Sequence, residues 1–180
     1  MTGYEQLERN LTDMVLEEQA KLGYMKEKIR FYYPLTTLNH FFGGQDTAPE
    51  MMKRLEQMPQ QIPGPLGKTG VTRKGDRFCL EVTEEGNAYV HETKDGSRFI
   101  EELIRLVSKH GCTMEQVIAL FRSHSEQVEI CPATHGEFDL SIRFLDDPLD
   151  PYYYCLKDEG AHITYHRYLP ADYRDFGFDE

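Results

Sequence analysis

Two histidines near the C-terminus have the spacing of a metal-binding pair. His162 and His166 are four residues apart, and in a helix both could bind one ion. Ile163 and Thr164 instead favour a strand, on which positions i and i+4 lie roughly 13 Å apart. A zinc ion binds each nitrogen at about 2 Å, so one ion could not reach both rings. Either ring could still join ligands from a neighbouring strand, but we predict a sheet-surface role and no metal site.

Two cysteines are close to histidines in the sequence. Cys131 and His135 bracket a loop that contains Pro132, and His110 is two residues from Cys112. Either pair could contribute to a zinc site or a nucleophilic Cys–His pair, but such sites are assembled in space. Loop residues and a buried thiol are the simpler interpretation, so we expect no cofactor and assign no catalytic residue.

The tripeptide Gly67-Lys68-Thr69 resembles the end of a phosphate-binding loop. The full motif also needs a glycine five residues before the Gly-Lys pair, and that position is Ile62. A phosphate-binding loop also opens a helix, whereas Gly70 and a strand-like run follow here. We therefore predict no nucleotide site at this tripeptide.

Three aspartates crowd one segment, Asp146, Asp147 and Asp150. They could hold Ca²⁺, but the spacing of an EF-hand and its distal glutamate are absent. Because Asp before Pro commonly forms turns, we predict a turn here.

The charge of the chain excludes some classes of partner. It has 31 acidic and 20 basic side chains, a net charge of −11, which disfavours nucleic acid and anionic membranes because both attract basic surfaces. Residues 111–180 contain 14 of the acidic and only 5 of the basic side chains. We predict that this acidic part faces a basic protein partner or, on a mixed sheet surface, a small anionic ligand.

Aromatic residues concentrate in the same part of the chain. Ten lie between residues 138 and 178: Phe138, Phe144, Tyr152, Tyr153, Tyr154, Tyr165, Tyr168, Tyr173, Phe176 and Phe178. Tyrosine supplies a large contact area at a low entropy cost and is enriched in interfaces. The candidate binding residues are Arg143, Tyr153, His162, Tyr165, His166, Arg167 and Tyr168.

Features of the N-terminus and the cysteines predict the compartment. Charged residues interrupt the first 18 positions, so we expect no signal peptide, and no apolar run is long enough to span a membrane. The four cysteines include no CxxC pair. Two disulfides are possible, but reduced thiols in the cytoplasm fit the absent signal better.

The N-terminal part, residues 1–58, is predicted to be mainly helical. Capping-box patterns at Thr2/Glu5 and Thr47/Glu50 predict helices over roughly 3–22 and 48–58, with a short helix at 35–42 between them. The stretch from Met25 to Tyr33 fits either a strand or a helix. Residues 59–76 are dense in Pro and Gly, which predicts a long and mobile loop.

Residues 77–180 are predicted to form an α+β part. A hairpin is expected from 78–82 and 88–92, then a helix from Ser97 and another capped by Thr113 and Gln116. Strands are expected at 128–130 and 138–144, with a second hairpin from 152–157 and 161–168. The predicted fold is one α+β domain over 1–180, with N-terminal helices and a central helix pair packed on an antiparallel β-sheet.

Three pairs of segments resemble a known family. They are Lys21-Leu22-Gly23-Tyr24 with Tyr32-Tyr33-Pro34-Leu35, Arg77-Phe78-Cys79 with Tyr89-Val90-His91, and Tyr165-His166-Arg167-Tyr168 with Asp172-Tyr173. They are similar to a family of uncharacterised Firmicutes proteins of about this length. The resemblance implies a bacterial cytoplasmic protein and carries no activity or catalytic residue.

The sequence leaves three classes of function open. The leading hypothesis is a non-enzymatic binding domain that uses the acidic, tyrosine-rich C-terminal surface. The second is a small-molecule enzyme or binding protein with a histidine site on the sheet face near the 59–76 loop. The third is an immunity-type inhibitor of a basic protein. The oligomeric state is not predicted.

Overall fold

The computed structural model describes residues 1–133 and 137–175 of the chain. These residues form eight α-helices and two antiparallel sheets, which confirms the predicted α+β class. By its internal contacts the chain divides into unit 1, residues 1–97, and unit 2, residues 98–180, and each is described by itself. The prediction that 1–180 is a single domain stays a prediction. None of the helices in the described ranges is long and apolar enough to cross a bilayer.

Helix α1 (Gly3–Leu22) confirms the first capping box. The Thr2 hydroxyl accepts the Glu5 amide at 3.2 Å, and the Glu5 carboxylate accepts the Thr2 amide. Leu7, Leu11 and Val15 share one side of α1 at helical spacing and are fully buried. Burial of each such side chain contributes roughly 1.5–3 kcal/mol, so this stripe anchors α1 in the core of unit 1.

Unit 1 surrounds a three-stranded sheet, sheet A, with short helices. Its further elements are β1 (Ile29–Pro34), α2 (Leu35–Phe42), α3 (Ala48–Leu55), α4 (Met58–Gln61), a 3-10 helix (Pro65–Lys68), β2 (Gly70–Lys74), β3 (Arg77–Val82) and α5 (Glu84–Thr93). The strand order is β1-β3-β2, with both neighbours antiparallel to β3. The ambiguous 25–33 stretch therefore contains a strand, and Phe31 and Tyr33 point into the core. Tyr33 also donates a hydrogen bond of 2.6 Å to Asn10 on α1.

The predicted loop at 59–76 is wrong. The segment contains most of α4, the 3-10 helix and β2. Pro59 and Pro65 lie in the first turn of their helices, where a missing amide hydrogen leaves no bond unmade. Gly67 is buried, and a Cβ there would lie 2.2 Å from the carbonyl oxygen of Ile62. The prolines and glycines of this segment thus allow tight packing rather than mobility. The helix that begins at the second capping box, α3, ends at Leu55, earlier than predicted.

The predicted hairpin from 78–82 to 88–92 is also wrong. Strand β3 is present, but it pairs with β1 and β2, and residues 84–93 form α5. The Thr83 hydroxyl caps α5 by accepting the Gly86 amide at 3.0 Å, and two glutamates in the first turn favour a helix N-terminus. Gly86 is not a turn residue: a Cβ there would lie 2.9 Å from Val82, so the glycine permits close packing.

Unit 2 packs two helices on one side of a four-stranded sheet, sheet B. Its elements are α6 (Arg98–Val107), α7 (Met114–His124), β4 (Val128–Pro132), β5 (Leu140–Phe144), β6 (Tyr153–Asp158), β7 (Ile163–Tyr168) and α8 (Pro170–Asp175). The strands follow the order β4-β5-β6-β7, all antiparallel. The helix pair and the second hairpin are confirmed, the 138–144 strand begins two residues later than predicted, and α8 was not predicted.

Aromatic rings join the helix pair to sheet B. Phe99 of α6 and Phe121 of α7 lie 4.6 Å apart between ring centroids, and each contacts Phe144 and Tyr154 of the sheet at 4.9–5.6 Å. The helices therefore cover the side of sheet B that carries Phe144 and Tyr154. We call the opposite side the outer face.

Candidate functional site

The strand register divides the seven candidate binding residues. Arg143, Tyr153, His166 and Tyr168 lie on the outer face, because neighbouring side chains on a strand alternate between sides. Tyr165 and Arg167 lie on the helix side. His162 precedes β7, where its carbonyl accepts the Glu159 amide at 3.0 Å.

Arg143 is held between a carboxylate and a tyrosine on the outer face. Its Nε donates to Glu129 Oε2 at 2.6 Å, its Nη1 donates to the Tyr153 hydroxyl, and its guanidinium lies 4.8 Å from the Tyr153 ring centroid. The hydrogen bond with Glu129 is the main reason that the pKa of Arg143 is raised. These contacts fix the arginine fork in one position.

A stacked tyrosine pair extends this cluster. The rings of Tyr153 and Tyr173 are 3.9 Å apart between centroids and within 3° of parallel. Tyr173 lies on α8 and is buried, so this short helix packs its tyrosine ring against Tyr153 on the outer face. Sequence composition placed Tyr173 among the aromatics, but only the stack shows that it supports Tyr153.

A second aromatic group consists of Phe138, which precedes β5, and of His166 and Tyr168 on β7. Phe138 contacts the rings of His166 and Tyr168 at 6.4 and 6.1 Å between centroids, and His166 lies 5.4 Å from Tyr168. Burial is the main cause of the raised pKa of Tyr168, and the Glu137 carboxylate adds to it. His166 remains exposed. It is therefore the outer-face imidazole that a ligand can reach.

The helix side of sheet B carries a buried polar group instead. The Arg167 guanidinium lies 4.4 Å from the Tyr152 ring centroid, and Tyr154 donates to Asp150 at 2.6 Å. Asp150 is 9% exposed, and burial is the main cause of its raised pKa. The sequence predicted a turn at Asp150, and no local pattern distinguishes it from the exposed Asp147.

Burial makes two of the four cysteine thiols poor nucleophiles. All four cysteines are free. Burial raises the pKa of Cys155 to about 12, and burial also raises that of Cys112. Low thiolate content makes both weak nucleophiles. His135, the proposed neighbour of Cys131, lies outside the described residues, within which no three His, Cys, Asp or Glu side chains form a metal-binding group.

Carboxylates at the strand ends are bound to neutral donors. Asp146 accepts the Ser125 hydroxyl at 2.8 and 2.9 Å, and Asp147 accepts the Leu149 amide at 2.8 Å. At the other end of the sheet, Asp158 accepts the Gly160 amide at 2.8 Å. Because neutral donors leave the carboxylate charge uncompensated, both ends of sheet B carry negative charge.

Comparisons with known proteins identify a family but no activity. No curated protein and no solved structure matches the chain significantly. A family model described as a domain of unknown function, with a gene description from E. rectale, matches residues 4–177. This match confirms the resemblance seen in the sequence and covers nearly the whole chain, so the chain belongs to the family DUF3877.

Proposed function

We propose that the protein is a non-enzymatic cytoplasmic binding domain whose outer face and strand ends contact a basic protein partner. The observation that carries the proposal is the outer face itself. Arg143, Tyr153 and Tyr173 are held in a chain of contacts, and Tyr168 packs against Phe138, so binding would cost little side-chain entropy.

Charge supports a basic partner. The carboxylates of Asp146, Asp147 and Asp158 accept hydrogen bonds from neutral groups and form no ion pair with a described residue. Negative charge at both ends of the sheet would steer a basic surface toward the aromatic centre. Rim charges of this kind act mostly on the association rate and its salt dependence.

The experiment is a pull-down from bacterial lysate at low and high salt. A partner retained at low salt and lost at high salt is expected, and retention should fall in the triple variant Asp146→Asn/Asp147→Asn/Asp158→Asn. The matched control is Asp76→Asn/Glu92→Gln/Asp95→Asn, which removes three exposed carboxylates from unit 1. Equal loss of the partner in the control, salt-independent retention or an empty pull-down would overturn the proposal.

The two other hypotheses have less support. The enzyme site was placed beside a mobile loop at 59–76, and that segment is folded into two helices and a strand. An immunity-type inhibitor would use the same acidic surface and remains one form of the basic-partner proposal. A purified partner that is a toxin would distinguish it.

A further inference from the structure

Sheet A has a polar side that none of the proposed functions uses. Its other side buries Phe31, Phe78 and Leu80, whereas Tyr32 is 63% exposed. The polar side borders a concavity of about 570 Å³, whose lining includes Arg30, Tyr32, Thr72, Lys74, Arg77 and Cys79. Its volume falls in the range of small-molecule sites.

The strand register arranges these side chains in rows. Arg77 and Lys74 are cross-strand neighbours in one row, and the next row consists of Tyr32, Cys79 and Thr72. Successive rows on one side of a sheet are about 7 Å apart. An aromatic ring and a pair of cations thus lie next to each other on one surface.

This surface is positive within an acidic chain. Glu81, the carboxylate in the third row, is neutralised by Lys28 at 3.0 Å and Arg30 at 2.7 Å. Neither Lys74 nor Arg77 forms an ion pair with a described residue. Two cations therefore remain for an anionic ligand.

We propose that the polar side of sheet A binds a nucleotide. The base stacks on Tyr32, and the phosphates bind Arg77 and Lys74, while the ribose spans the interval between the rows. Arginine binds phosphate through two parallel hydrogen bonds, and aromatic rings stack on any base. A single exposed ring and two free cations suit one nucleotide rather than a nucleic-acid strand, which the net charge of −11 would also repel.

The first test is calorimetric binding of ADP, GDP, CDP and UDP to the full chain. Adenosine and inorganic pyrophosphate supply the ring alone and the phosphates alone. At least one nucleotide should saturate, and each half-ligand should bind at least about tenfold more weakly, since each loses one of two contacts. No saturation by any nucleotide, or pyrophosphate binding as tightly as the nucleotide, would overturn the proposal.

The site is located by two variants and by a thiol. Tyr32→Ala and Arg77→Gln should each weaken binding about tenfold, whereas Arg105→Gln, an exposed arginine of α6, should not. Bound nucleotide should also protect the half-buried Cys79 from alkylation but leave the exposed Cys131 reactive in the same sample. Circular dichroism checks that both variants fold. If both folded variants bind the nucleotide as tightly as the wild type, or if the nucleotide leaves Cys79 unprotected, the proposed nucleotide site is contradicted.

Discussion

The Tyr154 hydroxyl donates a hydrogen bond of 2.6 Å to Oδ2 of Asp150, and both side chains are buried. Oδ1 of the same carboxylate is buried without a hydrogen-bond partner among the described residues. The charge of Arg167 favours the ionised carboxylate, but burial outweighs it and raises the pKa of Asp150. Unit 2 therefore encloses a carboxylate whose ionised form is costly.

Removal of the Tyr154 hydroxyl should destabilise the protein. In Tyr154→Phe, the buried Asp150 carboxylate loses the hydroxyl that donates to its Oδ2, which should cost about 1–3 kcal/mol of unfolding free energy. Urea denaturation measures this change. Tyr32→Phe is the control, because the Tyr32 side chain is largely exposed. Equal stability of the two variants would contradict the role of the Tyr154–Asp150 hydrogen bond.

Stability should depend on pH through Asp150. Because burial raises its folded pKa above the ordinary value of 3.8, the folded protein binds the proton more tightly than the unfolded chain. This contribution is complete below the unfolded pKa and is lost as the pH rises through the folded pKa. Relative to Asp150→Asn, the wild type should therefore gain stability as the pH falls from 7 toward about 4. Parallel stability curves would refute the raised pKa.

Cys155 should resist alkylation in the folded protein. A rise of its pKa from 9.0 to about 12 lowers the thiolate fraction near neutral pH by about a thousandfold. Exposed Cys131 in the same chain is the internal control. Mass spectrometry at pH 8 should find Cys131 labelled first and Cys155 labelled only after denaturation. Comparable labelling rates would show that Cys155 is not buried as described.

Gly67 should tolerate no side chain. In Gly67→Ala the new Cβ would lie 2.2 Å from the Ile62 carbonyl oxygen, so the backbone must move, at a cost of about 3 kcal/mol. At Gly70 the nearest atoms would be 3.8 Å away, an ordinary contact. Thermal unfolding should therefore show a much lower midpoint for Gly67→Ala than for Gly70→Ala. Similar midpoints would mean that the backbone of residues 59–76 can move to make room for the Cβ atom, and would contradict the tight packing at Gly67.

Asn87 should be essential to the packing of α5. It is 2% exposed, and its Nδ2 donates to the carbonyls of Met25 at 2.8 Å and Glu27 at 2.9 Å. Its Oδ1 accepts Gln19 Nε2 at 2.6 Å. Asn87→Ala removes these three buried hydrogen bonds and should cost about 3 kcal/mol in chemical denaturation. Gln60→Ala, at an exposed position, is the control. An equal loss of stability in this control would contradict the role of the Asn87 hydrogen bonds.

Local patterns predicted the elements whose signals lie within a few residues. The capping boxes at Thr2 and Thr113 and the hairpin at Asp158–Gly160 each complete their hydrogen bonds locally, so the sequence alone specified them. Residues 59–76 and 84–93 were mispredicted because Pro59, Gly67 and Gly86 are residue types that occur both in turns and in tightly packed helices. Turn formation and close packing require the same residue types, and only the neighbouring atoms distinguish them.

The candidate surface was predictable in part. The register of β7 places His166 and Tyr168 on one side and Tyr165 and Arg167 on the other, as the alternation of side chains along any strand requires. The stack of Tyr153 on Tyr173 was not predictable, since it joins residues from β6 and α8. Tyr32 was not predicted as a candidate binding residue. The 25–33 stretch fitted both a strand and a helix, so the sequence did not show which side chains share a face with Tyr32.

By itself, the sequence determined the α+β class, the caps and the acidic, tyrosine-rich C-terminal part, because composition and short-range hydrogen bonds carry that information. Tertiary structure alone decided that the chain has two sheets, that Asp150 is buried beneath Tyr154, and that Tyr32 lies beside Arg77 and Lys74 on sheet A. Strand pairing and burial depend on residues distant in the chain, and one sequence does not reveal which distant residues meet.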